Sequence, residues 1–164
     1  MERSYTPRNH RVMQPSGRRI RVFVRLPRES DGWPPVAVET VWVEPLANGL
    51  ARVDNVPFFI QGVSLDDVVE LRPAADGPTD LELHRVVTQM GHQTIRVVGF
   101  AEGQTERAKR ALHQLGCVVE SAGVYELVAV DIPPDTDDEP VFAWLEQHTE
   151  QGLIDFEEGA VFDR

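Results

Sequence analysis

The hydrophobic pattern of this chain changes character once, at Gly91, and the order of elements beyond that point limits the possible folds more than any other feature. TIRVVGF, residues 94–100, is an apolar run of strand length. QTERAKRALHQLG, 104–116, sets Ala108, Ala111, Leu112 and Leu115 at i, i+3, i+4 and i+7, with Thr105 placed to cap a helix and Gly116 to end it. CVVESA and YELVAVDI follow as strands around a turn at Ala122-Gly123. DTDDEPVFAWLEQHTEQG, 135–152, predicts a second helix. Asp137 or Asp138 is its N-cap, Pro140 lies in its first turn, Val141, Trp144, Leu145 and His148 form its apolar stripe, and Gly152 stops it. LIDFEE closes the series as a strand. The order βαββαβ is the ferredoxin-like plan, with two helices on one face of a four-stranded antiparallel sheet.

Before Gly91 the pattern is strands and turns. Residues 1–17 mix Pro, Asn, Ser and Gly without periodicity and read as a flexible basic arm. RRIRVFVRL then alternates cleanly, Ile20, Val22, Val24 and Leu26 on one face and Arg19, Arg21 and Arg25 on the other. In the turn-rich segment 27–35, Trp33 is expected to pack over a barrel end. VAVETVWVE, 36–44, changes phase: Val36 and Val38 share one face, Val41 and Val43 the other. Either both faces are covered or a bulge sits near Thr40. Asn48-Gly49 signals a hairpin into LARVDN, and AADGPT between VVELRP and DLELHRVVTQM signals a second. Short strands with frequent turns and no helix predict a small barrel or curled sheet over 18–90. The fold expectation is therefore α+β: a β-barrel-like half, 18–90, followed by a ferredoxin-like half, 91–164, packed as one compact unit.

Charge narrows the function classes. The net charge is −11, but residues 1–28 carry eight arginines against Glu2 alone, whereas 29–164 carry eight basic and 26 acidic residues, a balance of −18. Such a body repels phosphates, so duplex nucleic acid is not an expected partner. No apolar run reaches the ~20 residues of a membrane span, and the N-terminal segment has no apolar stretch for export, which makes the cytoplasm the expected location. A single cysteine, Cys117, excludes an internal disulfide and a thiolate zinc cluster.

Five sets of residues bear on chemistry. VDNVPFFIQGVSLDDVVEL, 53–71, crowds Asp54, Asp66 and Asp67 around aromatic residues. Adjacent aspartates after Ser64-Leu65 suit a turn better than the opposed carboxylates of an acid–base pair, and Phe58, Phe59 and Ile60 suit a barrel plug. In GHQTIR, His92, Thr94 and Arg96 fall on one strand face at i, i+2 and i+4, a set able to bind a phosphate or carboxylate. The five histidines show no metal-ligating spacing, and His148 on an apolar stripe reads as a hydrogen-bonded core residue. Cys117 follows a helix C-terminus, whose dipole raises a thiol pKa and makes a poor nucleophile. Asp135, Asp137, Asp138 and Glu139 read as helix capping rather than a calcium loop.

Taken together, VRLP at 24–27, GWPPV at 32–36, RVDNVPFF at 52–59, GVSLDDVV at 62–69 and GHQTIRV at 91–97 resemble a bacterial family catalogued as domain-of-unknown-function family 4265. The similarity runs over about residues 22–160 and implies a stand-alone bacterial protein, but it brings no activity, cofactor or catalytic residue. The leading expectation is a non-enzymatic protein-binding module of immunity, antitoxin or regulatory type. Its basic protein partner would be met by Glu146 and Glu150 of the second helix with Asp155 and Glu157 of the last strand. A second expectation is a ligand-sensing regulatory module, able to form a homodimer, in which His92, Thr94 and Arg96 contact an anion. A third is an enzyme, a hydrolase of unrecognised type. No cofactor or metal is expected.

Overall fold

The computed structural model describes residues 18–162 except 28, 76 and 122–125, so the arm of residues 1–17 and the Ala122-Gly123 turn lie outside the described residues. The first five strands are β1 (Ile20–Arg25), β2 (Val38–Pro45), β3 (Leu50–Val53), β4 (Val68–Ala74) and β5 (Gly77–Thr88). They pair in sequence order around a closed ring. Consecutive pairs are antiparallel, and β1 meets β5 in parallel where Phe23 sits beside Glu82. Val22, Val41, Val43, Ala51, Val53 and Val69 point inward and are fully buried. Asn48 and Gly49 both take positive φ, 60° and 75°, so the anticipated hairpin forms between β2 and β3.

The phase change in β2 has neither of the expected causes. Its register with β1 runs unbroken from Ile20 opposite Val43 to Arg25 opposite Val38, without a bulge, and Val38 is 41% exposed. Glu39 takes the inward slot in phase with Val41 and Val43. A glutamate at a core position made an alternating strand look irregular.

The link between β3 and β4, residues 54–67, folds back over one end of the ring. Val56, Phe59, Ile60 and Val63 are buried there, and Trp33 meets Phe59 edge-on with ring centroids 5.6 Å apart. This is the core corner that the sequence implied.

The second half contains β6 (Gln93–Gly99), α1 (Gln104–Gln114), β7 (Val118–Ser121), β8 (Leu127–Ile132), α2 (Glu139–Glu150) and β9 (Ile154–Ala160). The four strands form one sheet in the order β7-β8-β6-β9, every neighbouring pair antiparallel. Ile95 and Val97 of β6 and Val128, Val130 and Ile132 of β8 cluster with Ala108, Leu112, Val141 and Leu145, so both helices cover the same face. Val98 and Leu127 project from the opposite face into the core of the ring. The molecule is thus layered helices, sheet, ring.

Two helix details differ from expectation. Gly103, not Thr105, is the N-cap of α1; Thr105 instead donates to the Glu126 side chain at 3.1 Å. Trp144 is only half-buried, stacked on His148 at 3.9 Å, while Val141, Leu145 and His148 are buried. Helix α2 packs over β9, the edge strand, so one flank of its stripe overhangs the sheet. Among the described residues no helix is long and apolar enough to cross a membrane.

Candidate functional site

The sheet face turned away from the helices meets the ring along a seam, and residues 54–67 are pinned within it. His92, just before β6, and Thr94 and Arg96 within it all turn to this seam, as strand alternation requires. Each has a different task. Thr94, fully buried, donates from Oγ1 to Ser64 Oγ at 2.9 Å. Ser64 is held in turn by Asp67, whose Oδ2 accepts the Ser64 N–H and whose Oδ1 accepts the Met90 N–H, both at 2.9 Å. Burial pushes the Asp67 carboxyl up, against the pull of these two amides.

His92 lies with Nδ1 at 2.9 and 3.0 Å from the two oxygens of Asp131 and Nε2 at 3.4 Å from Asp66. Burial alone would lower its pKa, but hydrogen bonds and charge from Asp131 and Asp66 outweigh it and raise it to about 9. The ring is therefore an imidazolium near neutral pH. A carboxylate on Nδ1 is the arrangement of a catalytic triad. Here Nε2 faces a second carboxylate instead of a hydroxyl, and a ring already protonated accepts no proton from a nucleophile.

Arg96 is 2% exposed and anchors the loop from below. Its Nη1 donates to the Phe58 carbonyl at 2.8 Å. Glu157 Oε2 forms an ion pair with Nε at 3.2 Å, and Nη2 has no hydrogen-bond acceptor among the described residues. Burial lowers the Arg96 pKa, while Glu157 and Glu39 hold the charge in place. From the other side the Glu39 carboxylate accepts the N–H groups of Phe58, Phe59 and Ile60 at 2.6, 2.8 and 3.0 Å. Burial raises its pKa in spite of those bonds. Room for the guanidinium comes from β9. The pairing with β6 slips between Thr94 and Ile95, and a Cβ on Gly159 would come within 3.1 Å of Arg96 Nη2.

Beside Arg96 the seam opens into a cavity of about 390 Å³. Trp33 and Pro35 wall it on the ring side and Val98, Leu127 and Phe156 on the sheet side, with Arg96, Asp155 and Glu157 as its polar groups. That volume is at the small end of ligand clefts, roughly 300–1,000 Å³. Of the proposed anion set only Arg96 lines this cavity; Thr94 and His92 are engaged deeper in the seam. Trp33 is 39% exposed, so the cavity has an accessible aromatic wall.

The four acidic candidates divide into two groups. Glu146 and Glu150 are exposed on α2, while Asp155 and Glu157 alternate with the helix-facing Ile154 and Phe156 and so face the seam. Glu157 is further held by Gln61 Nε2 at 2.9 Å. They do not form one solvated edge. The capping region is more engaged than expected: Asp137 accepts the Glu139 N–H at 3.2 Å, and Asp138 accepts Gln93 Nε2 at 2.7 Å. His148 binds the Trp144 carbonyl through Nδ1 at 2.7 Å, as a core histidine does. Burial first, and Asp131 second, push the Cys117 thiol up to about 12. Sequence reasoning missed Glu39 and Asp131, and of these only Glu39 left a signal, the broken apolar phase of β2. Asp67, read as a turn residue, does hold that turn through the Ser64 N–H.

No curated protein matches this chain. A crystal structure of a hypothetical protein from Neisseria gonorrhoeae is similar over 93% of this chain and 100% of its own, with a TM-score of 0.69 and 14% identity, a likeness of fold alone. A family model matches residues 39–156, a span that takes in Glu39, Arg96 and Asp155, and the chain belongs to the family it describes, Domain of unknown function (DUF4265).

Proposed function

We propose that this protein is a non-enzymatic small-ligand-binding module whose site is the seam cavity. The five-stranded ring supports reading the first half as a small barrel. The β7-β8-β6-β9 order, with both helices on one face, supports a ferredoxin-like second half. The observation that carries the function is the cavity itself: about 390 Å³, walled by Trp33, Pro35, Val98, Leu127 and Phe156, with Arg96, Asp155 and Glu157 as its polar groups. An apolar cleft with a few convergent charged groups is the usual form of a small-molecule site. The test is a thermal-shift screen of metabolite-sized carboxylates, since a ligand that binds only the folded state raises its melting temperature. Wild type should be stabilised by at least one compound and Trp33→Ala should lose the effect. A flat response to every carboxylate would sink the reading.

A second reading is recruitment of a basic protein partner, favoured by the −18 balance over 29–164 and by the exposed carboxylates Glu146, Glu150 and Asp155. Because Glu146 and Glu150 lie on the helix layer and Asp155 on the seam side, one flat partner would engage only one group. Capture from the native host with Glu146→Lys/Glu150→Lys and, separately, Asp155→Lys tests this. Identical capture by wild type and both variants at every salt concentration speaks against it.

A further inference from the structure

We propose that an extended, lysine- or arginine-bearing segment of a partner protein adds as a strand to the open side of β2 at Val38 and Thr40. Leu26 donates its N–H to the Ala37 carbonyl in continuation of the β1–β2 pairing, so Ala37, Glu39, Val41 and Val43 direct their backbone groups at β1. By alternation the N–H and C=O groups of Val38, Thr40 and Trp42 point the other way, towards β3.

Strand β3 stops short of them. Its pairing with β2 covers Val43 to Pro45. The following link extends the ladder by one step: the Trp42 carbonyl accepts the Asp54 N–H at 2.9 Å, and the Asn55 side-chain oxygen accepts the Trp42 N–H at 2.7 Å. Continued in register, Val56 would lie opposite Thr40, but its N–H goes to the Glu120 carboxylate of β7. Phe58, Phe59 and Ile60 then give their N–H groups to the Glu39 side chain. The link has peeled away from β2. On that side, among the described residues, nothing bonds the backbone of Val38 or Thr40.

A groove of about 460 Å³ occupies the gap, apolar at Val36, Val38, Trp42, Phe58 and Phe59, with Glu120 as an acidic group. A peptide residue opposite Thr40 can exchange two backbone bonds with it, and its side chain would lean between Val38 and Trp42, both exposed. Backbone pairing of this kind supplies affinity, and alternate side chains supply specificity.

Charge selects the occupant. Burial raises the Glu120 pKa, Asp131 and Asp54 raise it further against the Val56 bond, and no cation among the described residues offsets them. The Val56 N–H leaves acceptor capacity on the carboxylate. Arg21 and Arg25 approach Trp42 and Val38 from the β1 side, across β2 from the groove. A lysine or arginine in the added strand would neutralise Glu120, and the −18 balance over 29–164 steers the same class of segment. The groove shares no lining residue with the seam cavity and none with Glu146, Glu150 or Asp155, so this proposal and the two readings above fail independently.

The test titrates the full chain with blocked pentapeptides of valine, isoleucine and threonine carrying one lysine, and with a matched set carrying glutamate instead. NMR follows the Val38 and Thr40 amides. The best lysine peptide should slow exchange of the Thr40 amide about tenfold or more, as a new backbone hydrogen bond requires. Its glutamate counterpart should bind about tenfold or more weakly, the loss expected for one charge-assisted hydrogen bond. An N-methyl group moved along the lysine peptide should abolish binding at alternate positions only, the mark of an added strand, and it leaves the protein unaltered. Glu120→Gln, which keeps an oxygen for the Val56 N–H, should erase the preference for lysine. Unmoved amides with every peptide, equal binding of the glutamate set, or N-methyl losses without alternation each overturn the proposal. So does a Thr40 amide already slow without peptide: at all protein concentrations it would place another segment of this chain in the groove, and only at high concentration a second copy.

Discussion

Glu39 and Arg96 grip the backbone of a single residue from two sides: the Glu39 carboxylate accepts the Phe58 N–H at 2.6 Å, and the Arg96 guanidinium donates to the Phe58 carbonyl at 2.8 Å. One comes from the ring and the other from the sheet, so two opposite buried charges act on each other across an intervening loop. Glu39→Ala should cost about 3–5 kcal/mol, as expected when one partner of a buried charge pair is removed, and Glu39→Gln somewhat less. Urea melts give both values. A double-mutant cycle with Arg96→Met should return a coupling of roughly 0.5–3 kcal/mol. A coupling near zero would show that the two grips act separately.

The His92 cluster predicts how stability changes with pH. An unfolded histidine titrates near 6.5 and the folded one near 9, so the folded state holds the proton more strongly. That contribution is fully present below the unfolded value and is lost as pH rises through the folded one. Unfolding free energy should fall by up to the order of 3 kcal/mol from about pH 6 to about pH 10. His92→Gln should lower stability at neutral pH and flatten this slope. An unchanged slope would refute the assignment.

Helix α2 and helix α1 offer a contrast within one core. Leu112 is fully buried, whereas Trp144 overhangs the sheet edge against His148. Leu112→Ala should cost about 2–5 kcal/mol. Trp144→Ala, although it deletes more atoms, should cost less than Leu112→Ala in the same denaturant series. The opposite ranking would mean that the α2 flank is covered in solution.

Cys117 is 3% exposed, and its thiol pKa is pushed up to about 12. The native protein should therefore resist iodoacetamide at about pH 8, since the thiolate is the reactive form. Addition of urea past the unfolding midpoint should restore the rate of a free thiol. Fast native alkylation would show that the α1–β7 junction opens readily.

The elements were legible because their signals are local. Helical spacing at Ala108, Leu112, Val141 and Leu145, and the positive-φ pair Asn48-Gly49, depend on neighbours within a few positions. The plug at Phe59 and Ile60 was legible too, since apolar bulk between turn residues has few other uses. The seam was not. His92, Thr94 and Arg96 carried their shared face in the sequence, but their partners Asp131, Ser64 and Phe58 lie 39, 30 and 38 positions away. Nothing local marks such pairings. Trp144 was misjudged for a related reason: periodicity gives the face of a helix but not the width of the sheet beneath it.

The loop of residues 54–67 belongs to the ring by sequence but takes much of its polar support from beyond Gly91. Thr94 holds Ser64, Arg96 holds Phe58, Glu157 holds Gln61, and the Gly159 carbonyl accepts the Gly62 N–H at 2.8 Å. A cut near residue 90 would thus remove the anchors of the lid that seals the ring. Neither half is a portable module, and heat or denaturant should disrupt both in one cooperative step. The two halves therefore have to be inherited together.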